Sequence, residues 1–332
     1  MNELVFFINK ALVSGAIIGS IYALGAIGVT LIFGILRFAH FAHADMMTVG
    51  AFISYILMSM MAAAGFTAPV PLAFLAMFPA MIITALLAIW LDKVFYKPFR
   101  DRGANPVVIV MASLGVTLMM QGLVRLFGGT RARSMYIGEN KEIYHIPFPG
   151  AKRDIILTEP QVLLFIFTIV VVIGLTMFLS RSRLGKAMRA VSDNPDLAKI
   201  SGINLKHVVW TTWIIGGTLA AAAGTMLSLD VVLKPDLSFS LLLPVFAAVI
   251  VGGIGQPYGA VAGGMLIGFS ESFAVFNWAV LLRPFRDSFP DWFELPTKLA
   301  FVPTEYKLAV PFVILIIVLI YRPTGIFKGK VI

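Results

Sequence analysis

The chain contains no cysteine. That excludes disulfides, thiolate metal ligands and cysteine nucleophiles, and leaves the redox compartment open. Charge is also scarce. Asp, Glu, Lys and Arg make up 13% of the 332 residues, against 59% hydrophobic, whereas soluble domains carry about 25% charged residues. Histidine occurs only 4 times. The longest polar stretch, 128–160, has 33 residues, too few to bury a core of its own. The opening MNELVFFINK places no basic segment ahead of its apolar run, so it does not read as a cleaved signal. This is the composition of a membrane protein.

What is present is a series of runs free of Asp, Glu, Lys, Arg and His: 11–36, 46–91, 103–124, 160–180, 208–229, 237–270 and 308–321. A helix of about 20 apolar residues crosses the hydrocarbon core. The second run breaks at AAAGFTAPVP (62–71), where Gly65, Pro69 and Pro71 disfavour continuous helix, and gives two spans. The sixth has GGIGQPYG (252–259) near its centre, which makes it two short or tilted helices, or one span and a re-entrant turn. The last run is short, but Lys307 and Arg322 can snorkel and lengthen it. The expected fold is an all-α polytopic membrane protein of about nine crossings, with broken or re-entrant helices at 37–45 and 252–259, forming a single transmembrane domain over 1–332.

The formal charge of +9 would suggest nucleic acid in a soluble protein, but its distribution argues otherwise. Loops 92–105, 180–207 and 322–332 hold 13 Lys/Arg against 4 Asp/Glu. Loops 62–71, 128–160, 230–240 and 277–307 hold 10 of each. The excess orients the chain, with the basic loops cytoplasmic. The N-terminus is then outside, the C-terminus inside and the 128–160 loop extracytoplasmic, and no nucleic acid is needed.

Small residues mark helix packing. Gly15 and Gly19, Gly259 and Gly263, and Gly264 and Gly268 are GxxxG pairs, and TLAAAAG (218–224) is a small-residue ridge. Gly19, Tyr22 and Gly28 also match Gly255, Tyr258 and Gly264 at one offset, compatible with two related halves.

The loop LGKAMRAVSDNPDLAKISGINLKHV (184–208) is too polar for a span and too patterned for a linker. Asn194 is a good N-cap, Pro195 a good first helical residue, and Asp196 suits the positive end of the helix dipole. Gly202 is a plausible stop. These predict a short helix over 195–201, preceded by another over 184–191. Leu197, Ile200 and Ile203 recur at spacing three along one side. Such a helix rests on anionic lipid or docks into a groove on a cytoplasmic partner.

The stretch MRAVSDNPDLAKISGIN (188–204) resembles the cytoplasmic loop of permeases from branched-chain amino acid ABC importers. SGAIIGSIYALGAIGVTLIFGILRF (14–38) with FAHADMMTVGAF (41–52), FAAVIVGGIGQPYGAVAGGMLIGFSE (246–271) and YRPTGIFKGK (321–330) are similar to other segments of that family, in family order. The resemblance implies a bacterial inner-membrane subunit paired with a second permease. A periplasmic binding protein would supply the substrate, and two cytoplasmic ATPases would bind ATP and magnesium. This chain would then carry no cofactor. The resemblance assigns the ATPase-coupling helix to 194–202, and the coupling residues to Arg189 just ahead of it and to Asn194, Pro195, Asp196, Ala198 and Gly202 within it. No Walker A loop is present: SRSRLGK (180–186) and GIFKGKV (325–331) lack the spacing or the following hydroxyl.

RFAHFAHADMM (37–47) places Arg37, His40, His43 and Asp45 between two apolar runs. Three readings stand. In the first it is a cytoplasmic turn, with Asp45 capping a helix that starts at Met46. In the second it is a mid-membrane break lining the transport path, where Arg37 or the histidines serve a carboxylate and Asp45 an ammonium; Tyr22 and Gly255 join that path. In the third, His40, His43 and Asp45 (HxxHxD) hold a metal, although on a helix Asp45 would point away from the histidines. The family pattern implies NFAHG where this chain has HFAHA, so His40 and Ala44 replace asparagine and glycine. The substrate expected is therefore a branched-chain amino acid or a related small polar solute. Arg125 ends its span and snorkels, and Glu271 is read as structurally paired. The rival functions are an ion-coupled secondary transporter using Asp45 or Glu271, and an intramembrane metal-dependent hydrolase.

Overall fold

The computed structural model describes residues 1–237, 239–284 and 299–327. The ends of the 277–307 loop fall among them. The middle of that loop and the last residues of the 321–330 stretch lie outside the described residues.

The chain opens with α1 (Asn2–Phe7), a π-helical turn (Ile8–Val13) and α2 (Ser14–Leu36), which run on without a break. Next come α3 (His43–Ala63), α4 (Leu72–Leu91), a second π turn (Asp92–Tyr96), α5 (Lys97–Asp101) and α6 (Pro106–Gly128). A hairpin of β1 (Ile143–Ile146) and β2 (Ile155–Thr158) leads into α7 (Glu159–Arg181), α8 (Arg183–Asp193) and α9 (Pro195–Ile200). Then follow α10 (Leu205–Asp230), α11 (Phe239–Gly252), α12 (Pro257–Val275), α13 (Ala279–Leu282) and α14 (Ala309–Tyr321). Among the described residues, seven helices are long and apolar enough to cross a membrane, and α11 and α14 are shorter apolar helices. The break at 62–71 separates α3 from α4, and the 252–259 segment separates α11 from α12.

The core forms around α2 and α10, the two most buried spans. In lipid, helices gain little from apolar burial against one another, so close backbone approach supplies the packing. α2 and α12 run antiparallel and meet through glycine. A Cβ on Gly268 would lie 2.3 Å from the Gly19 nitrogen, and one on Gly264 would lie 2.5 Å from that of Ala23. On the other side α10 packs on α3 and α4, where Gly224 seats the Met47 carbonyl, 1.9 Å from an added Cβ. The GxxxG and small-residue signals thus mark real contacts. The three-residue internal match does not align like positions: Gly19 lies inside a helix, whereas Gly255 lies in a turn.

Two expectations are corrected. The fold is not purely helical. β1 and β2 pair antiparallel, Ile143 opposite Thr158, and exposed Ile143, Tyr144 and Ile146 on β1 leave that strand outside any apolar run long enough for a helix. His207 was expected in a polar loop, but it lies in the first turn of α10 because Asn204 caps that helix by accepting the Lys206 N–H. Behind the hairpin, Lys141 and Gln161 meet Asp230 at 3.6 and 3.1 Å. Burial, reinforced by Glu159, Asp230 and Glu139, raises the phenol pKa of nearby Tyr136.

Candidate functional site: the 37–45 break and the 183–204 arm

α2 ends where Arg37 turns left-handed (φ 58°), the one non-glycine residue with positive φ among those described. The Arg37 N–H still bonds the Phe33 carbonyl at 2.9 Å, and its Nη2 donates to the Ser192 carbonyl at 2.6 Å. The break is thereby tied to the end of α8.

From Phe38 the chain turns inward. His40 and His43 are fully buried. His40 Nε2 lies 3.1 Å from the Tyr96 hydroxyl, and its ring meets Tyr96 and Trp213 edge-on at 5.3 and 5.0 Å. Tyr96 and Trp213 are themselves stacked, 5.6 Å apart. His43 sits against Gly28, whose added Cβ would lie 2.4 Å from the ring.

The expected cap does not form, because α3 begins at His43 instead of Met46. Asp45 therefore lies inside the first turn, and its Oδ1 accepts from Gln121 Nε2 at 3.1 Å. Arg37 is exposed, and beyond it the segment is largely buried. Ala42 donates its N–H to Ser113 Oγ at 3.2 Å. Ser113 and Gln121 are roughly 10 and 22 Å along α6 from Pro106, at about 1.5 Å per residue. Asp45 is turned to α6, away from the two histidines, and no cluster of three potential metal ligands occurs among the described residues.

Tyr22 and Gly255 do not join this group. The Tyr22 hydroxyl donates to Glu271, 3.0 Å from Oε1, and Lys307 Nζ lies 3.4 Å from Glu271 Oε2. The paired reading of Glu271 therefore holds, and Lys307 is the partner that sequence reasoning missed. No spacing in the sequence links positions 22, 271 and 307. Gly255 (φ 81°) lies in the turn between α11 and α12, where its N–H donates to Thr30 Oγ1 at 2.9 Å. Gly255 and Arg189 line one cavity of about 230 Å³, together with Thr30, Gly34, Ser192 and Asp193.

The 183–204 arm forms as its residues dictate. Ser182 caps α8 by accepting the Gly185 N–H at 2.8 Å. Asn194 Oδ1 accepts from Asp196 and Leu197 at 3.0 and 3.1 Å, and Pro195 occupies the first turn of α9. Gly202, at φ 82°, closes α9: its N–H reaches the Lys199 carbonyl and that of Ile203 the Ala198 carbonyl. Ala198 is buried, while Leu197 and Ile200 are 61% and 83% exposed. The arm thus holds its small residue inward and turns two large apolar side chains outward, rimmed by charge.

The family model described as "Branched-chain amino acid transport system / permease component" matches residues 11–319. The chain is 32% identical over 336 residues to the high-affinity branched-chain amino acid transport permease BraD of Pseudomonas aeruginosa, covering 98% of this chain and 97% of that one. It is 28% identical over 330 residues to the corresponding permease LivH of Salmonella typhimurium, with the same coverage. Among solved structures, PsaBC from Streptococcus pneumoniae in complex with Fab is 10% identical with a TM-score of 0.44, covering 94% of this chain and 91% of that one.

Proposed function

Because the chain belongs to the family of branched-chain amino acid transport permeases, we propose that it is the membrane subunit of an ATP-driven importer. It imports branched-chain amino acids or related small polar solutes across the bacterial inner membrane. The seven long spans with α11 and α14 make nine crossings, N-terminus outside and C-terminus cytoplasmic. A second permease completes the path, two cytoplasmic ATPases supply ATP and magnesium, and a periplasmic binding protein delivers the solute. The chain performs no covalent chemistry.

The observation that carries this reading is the α9 arm, with Leu197 and Ile200 exposed between the fixed caps Asn194 and Gly202. An apolar edge held rigid between capped ends suits a groove on a partner. Motion of α9 reaches α8 directly, and the Arg37–Ser192 bond passes it to the 37–45 break. Arg189 stands at the same junction.

For the break itself, the level of Asp45 against Gln121 supports the mid-membrane reading. His40, His43 and Asp45 then flank the path. Tyr22 and Gly255 act at one remove, by holding Glu271 and the α11–α12 turn. The metal reading has no such support, since Asp45 faces Gln121.

The test is reconstitution with the partner subunits. Uptake that persists in a protonophore and stops without ATP supports the proposal. Uptake by this chain alone, abolished by the protonophore, would replace it with ion-coupled transport.

A further inference from the structure

A groove of about 360 Å³ runs between α3, α4 and α6. Phe52, Tyr55, Ile56, Trp90, Leu123 and Phe127 form much of its wall, and its lining is almost wholly apolar. All three helices are among the seven long apolar ones, which puts the groove at the depth of the hydrocarbon. Arg133 stands at its end beyond Gly128.

Arg133 is held firmly. Its backbone pairs with Leu233 through two hydrogen bonds of 2.9 and 3.0 Å. One guanidinium nitrogen donates to the Gly128 carbonyl at 2.6 Å, and the group lies 5.1 Å from the centroid of the Tyr55 ring. Among the described residues no carboxylate comes within 4.0 Å of it. A positive charge, fixed but unpaired, therefore closes one end of an apolar slot.

We infer that the groove binds an anionic phospholipid, with an acyl chain between the Phe52 and Phe127 walls and its phosphate on Arg133. Chemistry excludes the other occupants. A polar solute in this slot would leave its charged groups without partners. An apolar helix of a second copy would cover the groove but bring no anion to Arg133. An acyl chain fits, and a guanidinium pairs with a phosphate through parallel N–H donors. The lipid comes from the leaflet at the C-terminal end of α6. It would brace α3, the helix that begins at His43 and carries Asp45.

The test compares lipid retention by the protein extracted with its native subunits, using native mass spectrometry. Phosphatidylglycerol and phosphatidylcholine with identical acyl chains are the probes. Phosphatidylglycerol should be retained roughly tenfold better, because its phosphate is its only head-group charge, whereas the choline ammonium of phosphatidylcholine offsets that lipid's phosphate and is repelled by Arg133. Arg133→Gln should bring the two lipids to parity, Arg133→Lys should keep most of the preference, and Leu123→Trp should lower retention of both. Equal retention by the unaltered protein, or a preference that survives Arg133→Gln, would overturn the assignment. Because the chain has no cysteine, Leu123→Cys offers one further check. A disulfide-linked pair of copies in the membrane would show the groove to be covered by a second copy, and would equally overturn it.

Discussion

Arg37 and Ser192 are joined across 155 positions of sequence by one hydrogen bond of 2.6 Å, from guanidinium to backbone carbonyl. It links the 37–45 break to the 183–204 arm just ahead of the Asn194 cap. Arg37 also holds a left-handed backbone, which costs an L-residue about 1–2 kcal/mol.

The two roles of Arg37 separate by substitution. Arg37→Ala loses the bond and keeps the strain, whereas Arg37→Gly loses the bond and relieves it. The glycine variant should be more stable than the alanine variant by about 1 kcal/mol in detergent unfolding. Both should transport less solute per ATP hydrolysed, read as an uptake-to-ATPase ratio in vesicles. Equal ratios in all three proteins would remove Arg37 from coupling.

The caps of α9 can be tested without touching its exposed face. Asn194→Ala should cost about 1 kcal/mol locally, and Gly202→Val forces a β-branched residue to φ 82°. The helix frays in each case. ATPase subunits should co-purify poorly and uptake should fall, while the chain still inserts in the membrane. Normal co-purification with both variants would speak against α9 as the docking element.

Glycines in this chain are not equivalent. Gly268→Leu would drive a Cβ to 2.3 Å from the Gly19 backbone, and should destabilise the protein by about 3 kcal/mol, the upper range for overpacking. Gly115, inside α6, has nothing within 4 Å of an added Cβ. Gly115→Ala should stabilise by about 0.8–1 kcal/mol through helix propensity. Thermal unfolding in detergent ranks the two.

Within the break, Asp45→Leu leaves the Gln121 amide buried without its acceptor and should cost about 1–3 kcal/mol. Asp45→Asn keeps an acceptor and should fold normally. If the segment lines the path, Asp45→Asn and His40→Asn should still change KM for uptake at normal expression. Kinetics identical to the unaltered protein in both variants would make the break purely structural.

The sequence was most readable where local chemistry decides the outcome. Asn194, Pro195 and Gly202 act within their own turn, and α9 formed within one residue of its expected end. GxxxG spacing marked the α2–α12 contact because only backbone approach packs helices in lipid. The break was visible as a cluster of ionisable residues, but its contacts were not. Asp45 could be read as a cap, since nothing local points to Gln121. Tyr96 and Trp213 come from two other helices, and their enclosure of His40 exists only once those helices pack. The β hairpin escaped notice because its strands of 4 residues lie in a loop judged by polarity alone.

The turn between α11 and α12 is laced from two directions. Val251 and Gly252 offer carbonyls that a helix end leaves unsatisfied, and these accept N–H bonds from Ile326 and Phe327 at 2.9 and 3.2 Å. Gly325 is pressed so close that its Cβ would stand 2.7 Å from Gly253. Affinity tags or deletions placed just after Tyr321 would unpick this seam, strand both carbonyls and loosen Gly255. Damage seen in such a fusion would then report an unlaced turn nearby, and would be misread as loss of a function belonging to the tail.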